Sequence, residues 1–225
     1  MRRRRNQKQY VVIGLGRFGT SVAQTLYQMG CEVLAIDSDE EKVQAVASMV
    51  THAVQADATD EAAMRALGVR NFDVAIVSIG DVQASIMTTL VLKAMGVRQT
   101  VAKALSELHG RVLEKVGADK VIYPERDMGV RVAHNLISGN IVDYVELVPG
   151  YSIVEVLARG SLVHKTLREL DLRARYGISV MAIKRGNDII VAPGANDAVE
   201  PGDKLVAIGQ DEMLDRLQHM NEDDQ

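Results

Sequence analysis

From Tyr10 to about Tyr123 the chain alternates short, almost continuous apolar runs with segments whose apolar positions recur at helical spacing. That alternation predicts a parallel sheet covered by helices on both faces. Six runs read as strands: Tyr10–Ile13, Glu32–Ile36, His52–Gln55, Asp73–Ile79, Thr100–Lys103 and Lys120–Tyr123. Each is nearly uniform in apolar residues, as strands buried on both faces are.

The segments between them carry helix punctuation. Val22, Leu26 and Met29 fall on one face of the first helix, and Gly30 ends it where a left-handed residue is wanted. Gly68, Gly96 and Gly117 predict three further stops. Ser38, with Glu41 three residues on, predicts a capping box for the second helix, whose buried face would include Val43, Val46 and Ala47.

After Tyr123 the pattern changes. A helix-like stretch begins at Pro124, runs through Val130, Ala133 and Leu136, and ends near Ser138-Gly139-Asn140. Two β-like runs, Ile141–Val148 and Tyr151–Leu157, flank Pro149-Gly150 and predict a hairpin. A short helix near Lys165–Leu170 follows, then a second hairpin from Ser179–Lys184 and Asp188–Val191, a strand Lys204–Ile208, and a closing amphipathic helix from Asp211 to His219. The expected architecture is of the α/β class, a Rossmann-type doubly wound parallel six-stranded sheet followed by a small α+β carboxy-terminal domain. The expected limits are a basic disordered arm at 1–8, a nucleotide-binding domain at 9–124, a connecting helix at 125–140 and a carboxy-terminal regulatory domain at 141–225.

Composition narrows the class. Apolar residues make up 47% and aromatics only 4% with no Trp, so aliphatic side chains and Met must fill the interior. One cysteine, Cys31, excludes an internal disulfide and a cysteine-based zinc knuckle. No signal-peptide pattern precedes the first strand and no run reaches the ~20 apolar residues of a spanning helix, so a cytoplasmic protein is expected. The formal charge is −4, but Arg2 to Arg5 and Lys8 carry five positive charges, which leaves −9 on everything after them. An acidic body argues against a primary nucleic-acid partner.

The chemistry concentrates at Gly14-Leu15-Gly16-Arg17-Phe18-Gly19, which directly follows an apolar strand and opens a helix. In that context Gly14 permits the tight turn, Gly16 lets the backbone approach a pyrophosphate, and Gly19 lets helix and strand pack closely. Asp37 ends the second strand, where a carboxylate can accept from ribose hydroxyls and repel a 2′-phosphate. The expected ligand carries adenosine: ATP, ADP or NAD(H). Arg17 is either an exposed helix-start residue or a fork for a terminal phosphate, and in the second case a sensor of phosphate number. Asp57-Ala58-Thr59 and Ser78-Ile79-Gly80 end the third and fourth strands beside the expected crevice, or serve only as caps and turns. Lys103 closes the fifth strand and faces the crevice mouth or solvent. Glu125 is a helix-start acid unless something else recruits it.

No catalytic pair accompanies this turn. The five histidines have no His-x-x-x-His spacing, and no Tyr-x-x-x-Lys stands where a hydride-transfer acid is expected. Sensing is therefore favoured over chemistry. An NAD-dependent oxidoreductase and a nucleotide-sensing transcription regulator are the alternatives.

The glycine turn, Asp37, Thr51-His52-Ala53-Val54, Gln83-Ala84-Ser85, Val112 to Asp119 and Tyr123-Pro124-Glu125-Arg126-Asp127-Met128-Gly129 together resemble the regulator-of-potassium-conductance (RCK) family. The likeness is strongest to the cytosolic gating subunits of bacterial Ktr-type potassium uptake systems. It continues through Leu172 to Gly177 and Ala182 to Gly186. It implies a dimer assembling into an octameric ring beneath a membrane-embedded potassium-translocating subunit, peripheral at the inner membrane face, with ATP favouring the conducting ring and ADP the inactive one. It also implies that Gly14, Gly16, Arg17, Phe18 and Gly19 contact phosphates, that Asp37 takes the ribose, and that Asp57, Ala58, Ile79, Lys103 and His109 surround the nucleotide. By the same resemblance Glu125 helps to hold a divalent cation, Mg or Ca, and some members bind cyclic di-AMP between paired carboxy-terminal domains. The role of the Arg2–Arg5 arm is not implied by either reading.

Overall fold

The structure, a computed structural model, describes residues 8–137 and 141–219. The Arg2–Arg5 arm, the end of the connecting helix near Ser138 and the acidic tail fall outside those residues. The chain divides into two compact units, one ending at Glu125 and one beginning at Arg126.

In the first unit six strands alternate with helices: β1 (Gln9–Ile13), α1 (Arg17–Gln28), β2 (Glu32–Asp37), α2 (Glu40–Val46), β3 (His52–Gln55), α3 (Glu61–Ala66), β4 (Val74–Val77), α4 (Val82–Ala94), β5 (Thr100–Lys103), α5 (Glu107–Lys115) and β6 (Lys120–Ile122). The strands form one parallel sheet in the order β3-β2-β1-β4-β5-β6. The order reverses at β1, so the crevice between β1 and β4 lies where open α/β sheets bind ligands. Register sets what reaches it. Ile13 pairs with Ile36 and Val77, and Val77 pairs with Ala102, so Gly14, Asp37, Ser78 and Lys103 emerge together at the carboxyl edge.

Two apolar clusters cover the sheet's faces. Ile13, Ile36, Met64, Leu92 and Leu113 belong to one, and Val12, Ala23, Val33, Ala35 and Val43 to the other. Adjacent residues of β1 and β2 go to opposite clusters, which is why those strands read as unbroken apolar runs rather than alternating ones.

Gly30, Gly68, Gly96 and Gly117 all take positive φ, at 83°, 67°, 78° and 103°, matching the predicted helix stops. The second helix corrects the sequence reading. Asp39, not Ser38, is its N-cap, accepting from the Glu41 amide at 3.0 Å, while the Ser38 carbonyl accepts from Gln55 Nε2. β4 is also shorter than predicted. Beyond its end the Ser78 amide still donates to the Ile13 carbonyl at 2.7 Å while its hydroxyl donates to the Gly14 carbonyl at 2.8 Å, and the Asp73 carboxylate turns to the Gln9 amide and Arg98.

α6 (Pro124–Ile137) starts in the first unit and continues into the second. The second unit contains β7 (Ile141–Val148), β8 (Tyr151–Leu157), β9 (Lys165–Thr166), α7 (Leu167–Leu170), α8 (Leu172–Tyr176), β10 (Ser179–Arg185), β11 (Asp188–Val191), β12 (Ala198–Val199), β13 (Lys204–Gln210) and α9 (Asp211–His219). Five strands pair antiparallel in the order β11-β10-β13-β8-β7, and β12 pairs with β9. Both predicted hairpins are present. The little β9–β12 ladder and α8 are additions to the sequence reading, each being too short to show a period.

This unit has its own core of Leu162, Leu170, Ile178, Ile183, Leu205, Leu214 and Leu217. One polar tie fixes its turns: Asp203, with only 1% of its side chain exposed, accepts from Arg185 Nε and Nη2 at 2.9 and 2.8 Å. Those bonds hold the Asp203 carboxyl below the usual carboxylate range.

Candidate functional site

The glycine turn owes its shape to close approaches. Gly14 has φ +93°, and a Cβ there would stand 2.8 Å from the Ser78 carbonyl carbon. At Gly19 a Cβ would stand 1.9 Å from the Gly14 carbonyl oxygen, so only glycine lets α1 begin this near β1. Gly16 differs, because among the described residues nothing beyond its own chain neighbours lies within 4 Å of where its Cβ would be. Its glycine leaves the backbone open toward the cleft, as close approach by a pyrophosphate requires.

α1 is poised for an anion. Its N-cap is Gly16 without a side-chain cap, and no acidic residue stands in its first turn. The first-turn N–H groups and the positive end of the helix dipole are therefore left for a ligand. Arg17, its first residue, is exposed and adds a full charge.

These residues open onto a cleft of about 580 Å³. Gly14, Gly16, Arg17 and Phe18 line one wall, Asp37, Asp57 and Ala58 a second, and Ile79, Lys103 and Glu125 a third. The size suits a nucleotide. Gly19 lies buried beneath the turn and supports it rather than lining the cleft. His109 also stands apart from the lining. It is buried on α5, where Nδ1 accepts from the Leu105 amide at 3.3 Å and Nε2 finds no partner among the described residues. Burial pushes its pKa down.

The Asp37 carboxylate is firmly held. Oδ2 accepts from the Leu15 amide at 2.6 Å, Oδ1 from the Asp39 amide at 3.0 Å, and Lys42 Nζ stands 3.8 Å from Oδ1. Each carboxylate oxygen has a second lone pair left for a ribose hydroxyl. Asp57 accepts from both the amide and the hydroxyl of Thr59, at 2.9 and 2.7 Å, which lowers its pKa and keeps it anionic.

On the third wall Lys103 Nζ donates to Glu125 Oε1 at 2.9 Å. The Lys103 side chain is 11% exposed and that of Glu125 65%. The hydrogen bond from Lys103 holds the Glu125 carboxyl below its ordinary range. Among the described residues no group of three or more His, Cys, Asp or Glu side chains is placed to hold a metal ion.

Lys42, Asp81 and Thr88 also line the cleft, and the sequence pattern does not single them out. Lys42 offered one signal, a cation in the first turn of a helix, where the dipole disfavours it. Asp81 reads as an ordinary N-cap and does cap α4, accepting from the Ala84 amide at 2.8 Å. Thr88 is fully buried with its hydroxyl unpartnered among the described residues, which no sequence pattern reveals.

A phosphate-type glycine turn at the switch point of a doubly wound sheet defines a Rossmann-type domain, here joined to a small antiparallel unit. Family models match both parts: the TrkA-N domain over residues 10–124 and the TrkA-C domain over residues 151–220. The chain belongs to this family of RCK-type regulators. It is 49% identical over 204 residues to Ktr system potassium uptake protein C of Bacillus subtilis (strain 168), covering 90% of this chain and 92% of that one. It is 46% identical over 213 residues to Ktr system potassium uptake protein A of the same organism, covering 94% and 96%. Among solved structures the GsuK channel aligns with a TM-score of 0.69 at 15% identity, over 96% of this chain and 40% of that one. That channel has also been solved bound to NAD, aligning with a TM-score of 0.52 at 24% identity over 96% and 38% of the two chains. Identities this low speak for the fold.

Proposed function

We propose that this chain is a regulatory subunit of a membrane potassium uptake system, and that its first unit binds ATP and ADP as the signal. The observation that carries the ligand is the uncapped start of α1, where Gly16 leaves the backbone open and Arg17 adds an exposed cation beside the firmly held Asp37 carboxylate. The names of its relatives support the transport role. Among the described residues no helix is long and apolar enough to cross a membrane, so the translocating partner would be another chain.

In this reading the protein is no enzyme. Nucleotide identity changes a conformational equilibrium because ATP and ADP bind its states with different affinities. Copies of the chain assemble as dimers into a ring, and the ring acts on the membrane subunit from the cytoplasmic side. A divalent cation at Glu125 would join the phosphates in that assembly.

Calorimetric titration of the full chain with ATP, ADP and NADH, alongside light scattering, tests this. ATP and ADP binding with a particle larger than a dimer is the expected result. NADH binding far more tightly than ATP on a monomer or dimer would overturn the gating reading in favour of a dinucleotide enzyme.

A further inference from the structure

The parallel strands of the first sheet all begin at one edge, and that amino edge lies opposite the cleft, which opens at their carboxyl ends. Its charge is unlike that of the rest of the chain. Lys8 precedes β1, Arg70 stands in the turn before β4, Arg98 in the turn before β5, and Lys120 opens β6, all four exposed. The edge also holds three acids, and each is already engaged. Glu32 accepts from the Gln9 side chain, Asp73 from the Gln9 amide and Arg98, and Asp119 from Lys93 and the Thr100 amide. Among the described residues Lys8, Arg70 and Lys120 have no ion pair. Apolar side chains are exposed at the same edge. Tyr27 stands in the last turn of α1, Met29 in the turn to β2 and Met49 in the turn to β3, at 44%, 75% and 43% exposure.

The start of the chain adds to this edge. Arg2 to Arg5 lie within six residues of Lys8 along the sequence, so their charge joins β1 at its amino end. With the seven charged residues of the edge they make eight cations and three anions, a net +5, which leaves −9 on everything else in a chain of formal charge −4. A cationic edge on an acidic body suits an anionic surface met from one side only. A nucleic acid fits less well, because a polyanion gripped by the edge would also be repelled by the body. Exposed Met and Tyr side chains suit the boundary between lipid headgroups and acyl chains instead. The cytoplasmic leaflet carries anionic lipid and attracts clusters of Lys and Arg.

We propose that the amino edge of the first sheet is a membrane-docking surface, on which Arg2 to Arg5 with Lys8, Arg70 and Lys120 meet anionic headgroups while Met29 and Met49 enter the lipid interface. Lipid held there leaves the cleft open at the far edge of the sheet, so membrane and nucleotide are bound at the same time. This inference takes its setting from the potassium-uptake reading above, which brings the chain to a membrane.

Flotation of the full chain with vesicles tests this, using phosphatidylcholine alone or with about one-third phosphatidylglycerol. Binding to the anionic vesicles only, and release as salt rises, is the expected result. Arg2→Gln, Arg3→Gln, Arg4→Gln and Arg5→Gln together should weaken binding more than about tenfold. Arg70→Gln with Lys120→Gln probes the edge apart from the arm and should weaken it about tenfold, while Met29→Ser should cost about threefold. All these positions outside the arm are exposed, so melting temperatures should stay near that of wild type. Saturating ATP at constant ionic strength should release no vesicles. The inference is overturned if the chain ignores anionic vesicles, if either set of charge variants binds them as wild type does, if ATP displaces them, or if duplex DNA binds the edge more tightly than they do. If vesicles bind while neither ATP nor ADP does, the docking edge stands and the nucleotide-gating reading fails.

Discussion

The Asp37 carboxylate accepts a hydrogen bond of 2.6 Å from the amide of Leu15, the residue between the first two glycines of the phosphate turn. One side chain thus both shapes the turn and lines the cleft. Replacing it should act on every adenosine nucleotide alike. Asp37→Ala is expected to weaken ATP and ADP equally, by about tenfold or more, since charge-assisted bonds contribute about 1.5–3 kcal/mol each. Parallel titrations of the two ligands check this, and a loss confined to one of them would contradict it.

Arg17 should behave differently. Its exposed guanidinium at the start of α1 has no packing role to lose, so Arg17→Ala should leave the melting temperature of the ligand-free protein within about a degree or two. ATP should lose more affinity than ADP, by about tenfold if one bidentate contact goes. Equal losses for the two nucleotides would remove its part in counting phosphates.

Gly19→Ala tests the close approach of α1 to β1. The new methyl would fall 1.9 Å from the Gly14 carbonyl oxygen, a backbone atom that cannot rotate away. Destabilisation of about 2 kcal/mol or more is expected, with loss of nucleotide binding. Chemical denaturation reads the first effect and calorimetry the second.

His109 predicts an acid limb in the stability curve. Its pKa is depressed in the folded protein by burial, so the unfolded chain takes up a proton first as pH falls. Stability is then full above the unfolded value of about 6.5 and declines as pH drops from there toward the folded value. His109→Gln should flatten the decline just below pH 6.5, and an unchanged limb would place its origin elsewhere.

The sheet was legible in sequence because its inner strands β1, β2 and β4 are apolar almost throughout and four of its helices are followed by a glycine stop, signals that local chemistry alone produces. The capping of α2 was misread by one residue because Ser38 and Asp39 both suit an N-cap, and the choice was made by Gln55, which reaches the Ser38 carbonyl from β3. Gly14, Arg17 and Asp37 could be picked out because turn, helix start and strand end are local. The burial of His109 on α5 and the pairing of Lys103 with Glu125 depend on tertiary packing, which no spacing along the chain encodes.

The core residues of the first unit all precede Pro124, and those of the second all follow Ile141. A ribosome therefore delivers every apolar side chain of the nucleotide domain before it starts the second sheet. Residues Gln9 to Glu125 can collapse and close their glycine turn while the rest of the protein is still being translated.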